Sequence, residues 1–331
     1  MIDINTTYHY NISNVDEYLG ISVTSRISLI ILTTLIVITG LCGNAVVLYG
    51  SIKCKAIDMD RISLFLIECL AGADFLLALI IYIPILDTLI SNKWGFGDRI
   101  CFIIRLIDGV LTKFETLLTA AISCYRLYYV LTHGMVTQIQ IIYVRAFIIF
   151  LSLIPCSNVL ILTISQSIIY FNPHCMCCWA TLHDPVGTIS MRFSMILILL
   201  PMGIILIANI ALLIIANKHL KNITGHGTKT VPRKALITTS CICWSFVISW
   251  IPDLFCWIIN KEPRFLITFG KYMMALNVVI NPVIYSITNN KFRSFLKRLF
   301  SKKLTVVGSR LDSVRSLRSP RTSEYTNSKS V

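Results

Sequence analysis

Asp74, Asp108, Lys113, Glu115, Asn277 and Asn281 are polar or ionisable residues set inside long apolar runs. A charge in such surroundings is costly to leave alone, so each is expected to meet an ion, a ligand or an opposite charge. Asp108 and Glu115 are two helical turns apart and share one helix face. Asp108 therefore needs a cationic ligand or an internal base, and Arg105 and Lys271 are the candidate bases. Asp74, Asp108, Lys113 and Glu115 could also mark an ion path, which keeps a transporter or channel as a rival reading. Bond-making chemistry is not indicated. The apolar runs hold neither a metal-ligand His/Glu pattern nor a nucleophile motif, so the chain is not read as an enzyme.

The elements that must position these residues follow from composition. Of 331 residues, 55% are hydrophobic and only 14% charged, against roughly 25% charged in an ordinary soluble domain. Seven stretches, 27–50, 62–86, 100–131, 142–170, 189–217, 235–259 and 266–288, are long and apolar enough to cross a bilayer. Each must be helical, because lipid satisfies no backbone hydrogen bond. The expected fold class is all-α membrane: a seven-transmembrane helix bundle over 27–288 with a short amphipathic helix after the seventh span.

The net charge of +14 points to a membrane rather than to nucleic acid, since the basic residues gather in short connections and the tail. Lys53, Lys55 and Arg61 lie in the first connection and Lys218, Lys221 and Lys229 in the fifth. This asymmetry places the amino terminus outside and the carboxyl terminus in the cytosol of a multi-pass plasma-membrane protein. Residues 1–26 read as an extracellular segment without the basic start and apolar run of a cleaved signal peptide. Asn5 and Asn11 fit the glycosylation pattern there, whereas Asn222-Ile223-Thr224 falls on the cytosolic side and reads as a chance match. Over 289–300, Phe292, Phe295, Leu296 and Leu299 interleave with Lys291, Arg293, Lys297 and Arg298, as in a helix lying on anionic lipid. Residues 301–331 read as a disordered cytoplasmic tail with Ser313, Ser316, Ser319, Thr322 and Ser323 as kinase targets.

Seven of the twelve cysteines lie in apolar stretches and read as small buried hydrophobes. Cys101, Cys175, Cys177 and Cys178 flank extracellular segments, where disulfides persist. With His174 and His183 nearby, a zinc site is the alternative, and the crowding of the cysteines favours disulfides.

Particular residues then resemble the rhodopsin-like (class A) G protein-coupled receptor family, from the first span through the helix after the seventh. Gly43-Asn44-Ala45-Val46-Val47 looks like the signature of span one and Leu70-Ala71-Gly72-Ala73-Asp74 that of span two. Arg126 follows Cys101 by 25 residues, the family's spacing for its cysteine and arginine. Pro201 suits span five, Trp250-Ile251-Pro252 resembles the span-six motif with Ser249 in place of cysteine, and Asn281-Pro282-Val283-Ile284-Tyr285 is similar to the Asn-Pro-x-x-Tyr motif. Each proline also removes a backbone donor and makes a kink about which a helix can pivot.

The resemblance implies a receptor that passes the binding of an extracellular ligand to a heterotrimeric G protein, with receptor kinases and arrestin meeting the tail. It implies a disulfide from Cys101 to one of Cys175, Cys177 or Cys178, and a sodium ion among Asp74, Asn277 and Asn281. Glu115 departs from the family's small hydroxyl, and two close carboxylates repel unless a cation or a shared proton intervenes. Tighter sodium binding or a shared proton is therefore expected. Asp108 stands where amine receptors hold the acid that meets the ligand's ammonium, with Trp250, Asp253, Trp257, Lys271 and Tyr272 as further ligand-site residues. Asp253 and Leu254 replace the paired aromatics of amine receptors, and Ala275 replaces their span-seven tyrosine. Two acids facing one cavity suit a cationic amine, a dibasic ligand or a basic peptide, unless Lys271 cancels one.

At the cytosolic end the family's Asp-Arg-Tyr reads Tyr125-Arg126-Leu127, so the arginine's acidic neighbour is missing. From Ala216 to Ala235 there is no acid to replace it, and Asn209 stands where span five has a tyrosine. With Pro252, Pro282 and Tyr285 these residues form the expected switch. Loss of a restraining pair worth ~1–3 kcal/mol predicts raised ligand-independent signalling. A decoy receptor that binds without coupling is the other reading that Tyr125 supports.

Overall fold

The computed structural model describes residues 19, 21–53, 60–132, 138–164, 169–173, 176–180, 185–222, 233–259, 264–299 and 301. Side chains at 138–140, 216–222, 233–236, 257–259 and 264 lie outside that description. So do Asn5, Asn11, Cys175, His174, His183 and the tail beyond 301.

All seven expected spans are helices. They are α1 (Val23–Ile52), α2 (Arg61–Ser91), α3 (Gly97–Leu131), α4 (Gln138–Ile164), α5 (Pro185–Asn222), α6 (Arg233–Ile259) and α7 (Arg264–Thr288). Six are long and apolar enough by themselves to cross a membrane. The exception is α3, whose 35 residues include Arg99, Arg105, Asp108, Lys113, Glu115 and Arg126. It tolerates them by packing against α2, α4, α5 and α6, so Lys113, Glu115 and Arg126 are buried among other helices rather than facing lipid. Apolar side chains that face outward, such as Ile142, Phe150 and Leu153 of α4, supply the lipid-facing surface.

Expected bounds were wrong at the outer end of the fourth span. Its apolar run continues to residue 170, yet α4 ends at Ile164 and the chain enters a hairpin of β1 (Ile169–Asn172) and β2 (Cys177–Ala180). The strands pair antiparallel with Phe171 opposite Cys178. Apolar composition alone does not separate a helix end from a short β-branched strand.

Local chemistry sets the helix starts. Ser22 Oγ accepts from the Ser25 N–H at the head of α1, and Asp60 accepts from the Ser63 N–H at the head of α2. A π turn at Ala78–Tyr82 precedes Pro84, whose missing N–H interrupts the ladder there. Gly40 marks the closest approach of α1, α2 and α7, because a Cβ there would stand 2.7 Å from both Ala78 Cβ and Val278 Cγ1. Asn44 fastens the same junction by donating to the Gly40 carbonyl at 3.0 Å and the Val278 carbonyl at 2.9 Å.

After α7, residues 290–299 form the short helix α8. The Asn289 side chain caps it by accepting from the Phe292 N–H at 3.1 Å. Phe292 is buried edge-on against Tyr285 of α7, while Lys291, Arg293, Lys297 and Arg298 are exposed. The amphipathic pattern thus becomes one face on the bundle and one basic face turned away from it.

Candidate functional site

The bundle encloses a cavity of about 240 Å³ beneath the β-hairpin. Its walls come from α2 (Tyr82), α3 (Arg105, Asp108, Lys113), α4 (Asn158), α6 (Trp250, Asp253) and α7 (Lys271, Tyr272). A disulfide from Cys101 at the outer end of α3 to Cys178 of β2 holds the hairpin over it, which resolves the choice of partner for Cys101. Cys177 is itself disulfide-bonded.

Both expected acids reach this cavity, and both are paired internally. Arg105 meets Asp108 one turn later at 3.6 Å, and Lys271 meets Asp253 at 3.8 Å. Lys271 therefore cancels Asp253, and Arg105 answers Asp108. The four side chains are 20–34% exposed, so these pairs are weak, on the order of 0–1 kcal/mol, and a ligand can displace them. Thr112 also donates to Asp108 at 3.2 Å. Trp250 is buried at the cavity floor against Phe246. Tyr272 lines the wall with its hydroxyl bonded to Thr33 of α1 at 2.8 Å. Ala275 is fully buried beside Ile36 and Tyr272, away from the cavity lining. Trp257 falls at the end of α6, where the side chain is not described.

Deeper in the bundle, Asp74, Glu115, Asn277 and Asn281 converge on a small void. Asn281 donates to Asp74 Oδ2 at 2.7 Å, and Asn277 donates to the Ser249 hydroxyl at 2.7 Å. Asp74 Oδ1 and Glu115 Oε1 are buried without a hydrogen-bond partner among the described residues. Two facing carboxyls, each with an oxygen left over, fit either a monovalent cation or a shared proton.

At the cytosolic end the missing acid is replaced from another helix. Arg126 Nη1 stands 3.3 Å from Asp60 Oδ2, and the Tyr125 hydroxyl donates to Asp60 Oδ1 at 2.7 Å. Asp60 is the residue that caps α2, and it also accepts from the Ser63 hydroxyl at 2.6 Å. With Arg126 only 2% and Asp60 14% exposed, this pair sits in a far drier setting than the pairs at the cavity. The expectation of an unrestrained arginine is therefore corrected. Asp60 is remote in sequence from Arg126, and the helix cap brings it within reach.

The profile described as 7 transmembrane receptor (rhodopsin family) matches residues 43–285. The chain belongs to the rhodopsin family of seven-transmembrane receptors. Relatives include the histamine H2 receptor of Rattus norvegicus, 25% identical over 317 residues that cover 86% of this chain and 82% of that protein. The 5-hydroxytryptamine receptor 2 of Aplysia californica is 25% identical over 324 residues, covering 81% and 74%. The octopamine receptor beta-1R of Drosophila melanogaster is 22% identical, covering 80% and 59%. Among solved structures, squid rhodopsin superposes with a TM-score of 0.70 at 20% identity, covering 86% of this chain and 88% of that one.

In this receptor Asn209 occupies a joint between three helices. It donates to the Ser123 hydroxyl of α3 at 3.2 Å and to its own helix at the Ile205 carbonyl, and Ser123 contacts Cys243 of α6 at 3.0 Å. Pro252 and Pro282 lie within α6 and α7 as expected. Tyr285 is buried, and its hydroxyl has no hydrogen-bond partner among the described residues. Three residues escaped the sequence reading of the site. Asp60 was signalled only by its position before Arg61-Ile-Ser, a helix-cap pattern. Tyr82 and Asn158 looked like ordinary span residues.

Proposed function

We propose that this receptor is activated by a small extracellular ligand bearing an ammonium group, and that it passes the signal to a heterotrimeric G protein. The observation that carries the reading is Asp108 in the cavity wall, held by Arg105 at 3.6 Å in a pair open enough to exchange for a ligand cation. Relatives named for histamine, 5-hydroxytryptamine and octopamine support a small amine over a basic peptide. So does a cavity of about 240 Å³. Two linked changes follow from binding at Asp108. Arg105 loses its partner, and Trp250 on the floor feels the ligand beside the Pro252 kink, about which the inner half of α6 can swing. Movement of α6 at Cys243 alters the Ser123–Asn209 joint next to Arg126.

A sodium ion held by Asp74, Glu115, Asn277 and Asn281 belongs to the same proposal, as do kinases and arrestin at the tail and anionic lipid at α8. Screening histamine, 5-hydroxytryptamine and octopamine on cells expressing wild type and Asp108→Ala tests the reading. An amine response lost by about a hundredfold or more in the variant is expected for an ion pair that the bound ligand itself shields from water. An amine response of equal potency in both would refute it.

A further inference from the structure

Lys113 is the charge in the cavity that the proposed reading leaves unused. Its side chain folds back along α3, where Nζ donates to the Gly109 carbonyl at 3.1 Å, and the residue is 6% exposed. Among the described residues no carboxylate forms an ion pair with it. Asp108 is taken by Arg105, Asp253 by Lys271, and Glu115 faces Asp74. Neutral polar groups of α4 and α5 that line the same cavity are satisfied by one another, since Asn158 donates to the Ser190 carbonyl at 2.8 Å and Ser194 donates to Asn158 Oδ1 at 2.8 Å. A buried ammonium with a single backbone acceptor is an unfavourable arrangement that an anion relieves.

Charge balance points the same way. Arg105, Lys113 and Lys271 share the cavity lining with Asp108, Asp253 and, at its inner end, Glu115, which also faces Asp74. With a proton shared between Glu115 and Asp74, the walls carry an excess cation before any ligand enters. A ligand that is only cationic adds to that excess, whereas one that also carries an acid offsets its own charge. Because the Lys113 side chain runs back to Gly109, its ammonium lies within about one helical turn, roughly 5.4 Å of rise, of Asp108. An α-amino acid carries both complementary groups on one small molecule, an ammonium for Asp108 and a carboxylate for Lys113, and both residues line the same cavity.

We infer that the ligand is a small amino acid, its ammonium on Asp108 and its carboxylate on Lys113. The inference rests on the proposed cationic end at Asp108 and adds the opposite end. Specificity would then come from the carboxylate contact at Lys113, which the decarboxylated amine cannot make.

The test uses full-length receptor purified in detergent, with thermal midpoints measured against matched pairs: L-histidine with histamine, and 5-hydroxy-L-tryptophan with 5-hydroxytryptamine. At least one amino acid should stabilise wild type more than its amine. Lys113→Met should weaken that amino acid by about tenfold or more and leave the amine within about threefold, as expected for loss of one charged contact. Lys113→Arg should restore the preference, and Lys113→Gln repeats the test if the Met variant does not fold. Amines that stabilise at least as well as their amino acids, or an amino-acid preference that survives Lys113→Met, would overturn the inference while leaving the ammonium site at Asp108 standing. If no compound of either kind stabilises wild type, the ammonium site falls with it.

Discussion

Glu115 shows how one side chain can change what a membrane helix can hold. It is 5% exposed and shares a void with Asp74, which is fully buried, and each keeps an oxygen without a hydrogen-bond partner among the described residues. Two ionised carboxylates cannot stay this close without compensation, so either a cation or a proton belongs between them. Glu115→Ser removes one of the two carboxylates and with it their mutual repulsion. The proposed sodium site then predicts that the variant, left with Asp74, Asn277, Asn281 and a small hydroxyl, needs more sodium to alter ligand affinity and loses most of its dependence on pH. Measured displacement curves in sodium and in a bulky organic cation decide it, and identical curves for wild type and variant would remove the ion from the account. Lys113 poses the converse case, a buried cation in want of an acid.

At the scale of helices, Asp60 couples two elements that the sequence keeps apart. As the cap of α2 it satisfies the Ser63 N–H at 2.9 Å, and as the partner of Arg126 and Tyr125 it ties the head of α2 to the inner end of α3. In the proposed activation the inner half of α6 swings about Pro252 and Arg126 must be released, so this tie favours the resting arrangement. Asp60→Asn keeps a capping oxygen but discards the charge. It should therefore spare the helix cap, worth ~1 kcal/mol, and shift the resting equilibrium by ~1–3 kcal/mol, or 5- to 150-fold. Ligand-independent second-messenger output, titrated against surface expression, should be low in wild type and raised in Asp60→Asn. Equal basal output would show that the pair does not restrain Arg126. The same helices were legible in the sequence because a span must be long, apolar and helical, and motif spacing fixed their order. Ends were less legible: the stop of α4 at Ile164 depends on the hairpin that follows, which composition does not encode.

For the whole molecule, the Cys101–Cys178 bond links the outer end of α3 to the hairpin roofing the cavity across 77 residues of sequence. The stacked Trp94 and Phe171 rings, with centroids 4.7 Å apart, brace the same corner. Cys101→Ser should lower the unfolding free energy by about 2–5 kcal/mol and weaken ligand binding more than it weakens G protein contact, because only the extracellular half is tethered this way. Thermal midpoints and ligand displacement on the purified receptor check both effects. A variant that binds ligand as wild type does would mean that the roof stays in place without the bond.

The sequence by itself determined the family, the seven crossings, their orientation and the depth of the polar residues. Hydrophobic length and charge asymmetry act along the chain, so one dimension is enough to read them. It also named Asp108, Asp253, Lys271 and the Asp74–Glu115 core, since an ionisable residue in an apolar run is conspicuous wherever it falls. Only the tertiary structure decided which charges meet. It joined Asp60 to Arg126, Arg105 to Asp108 and Lys271 to Asp253, left Lys113 facing the cavity, and chose Cys178 among three neighbouring cysteines. Pairing is a matter of a few ångströms between different helices, and that distance is set by how the helices pack.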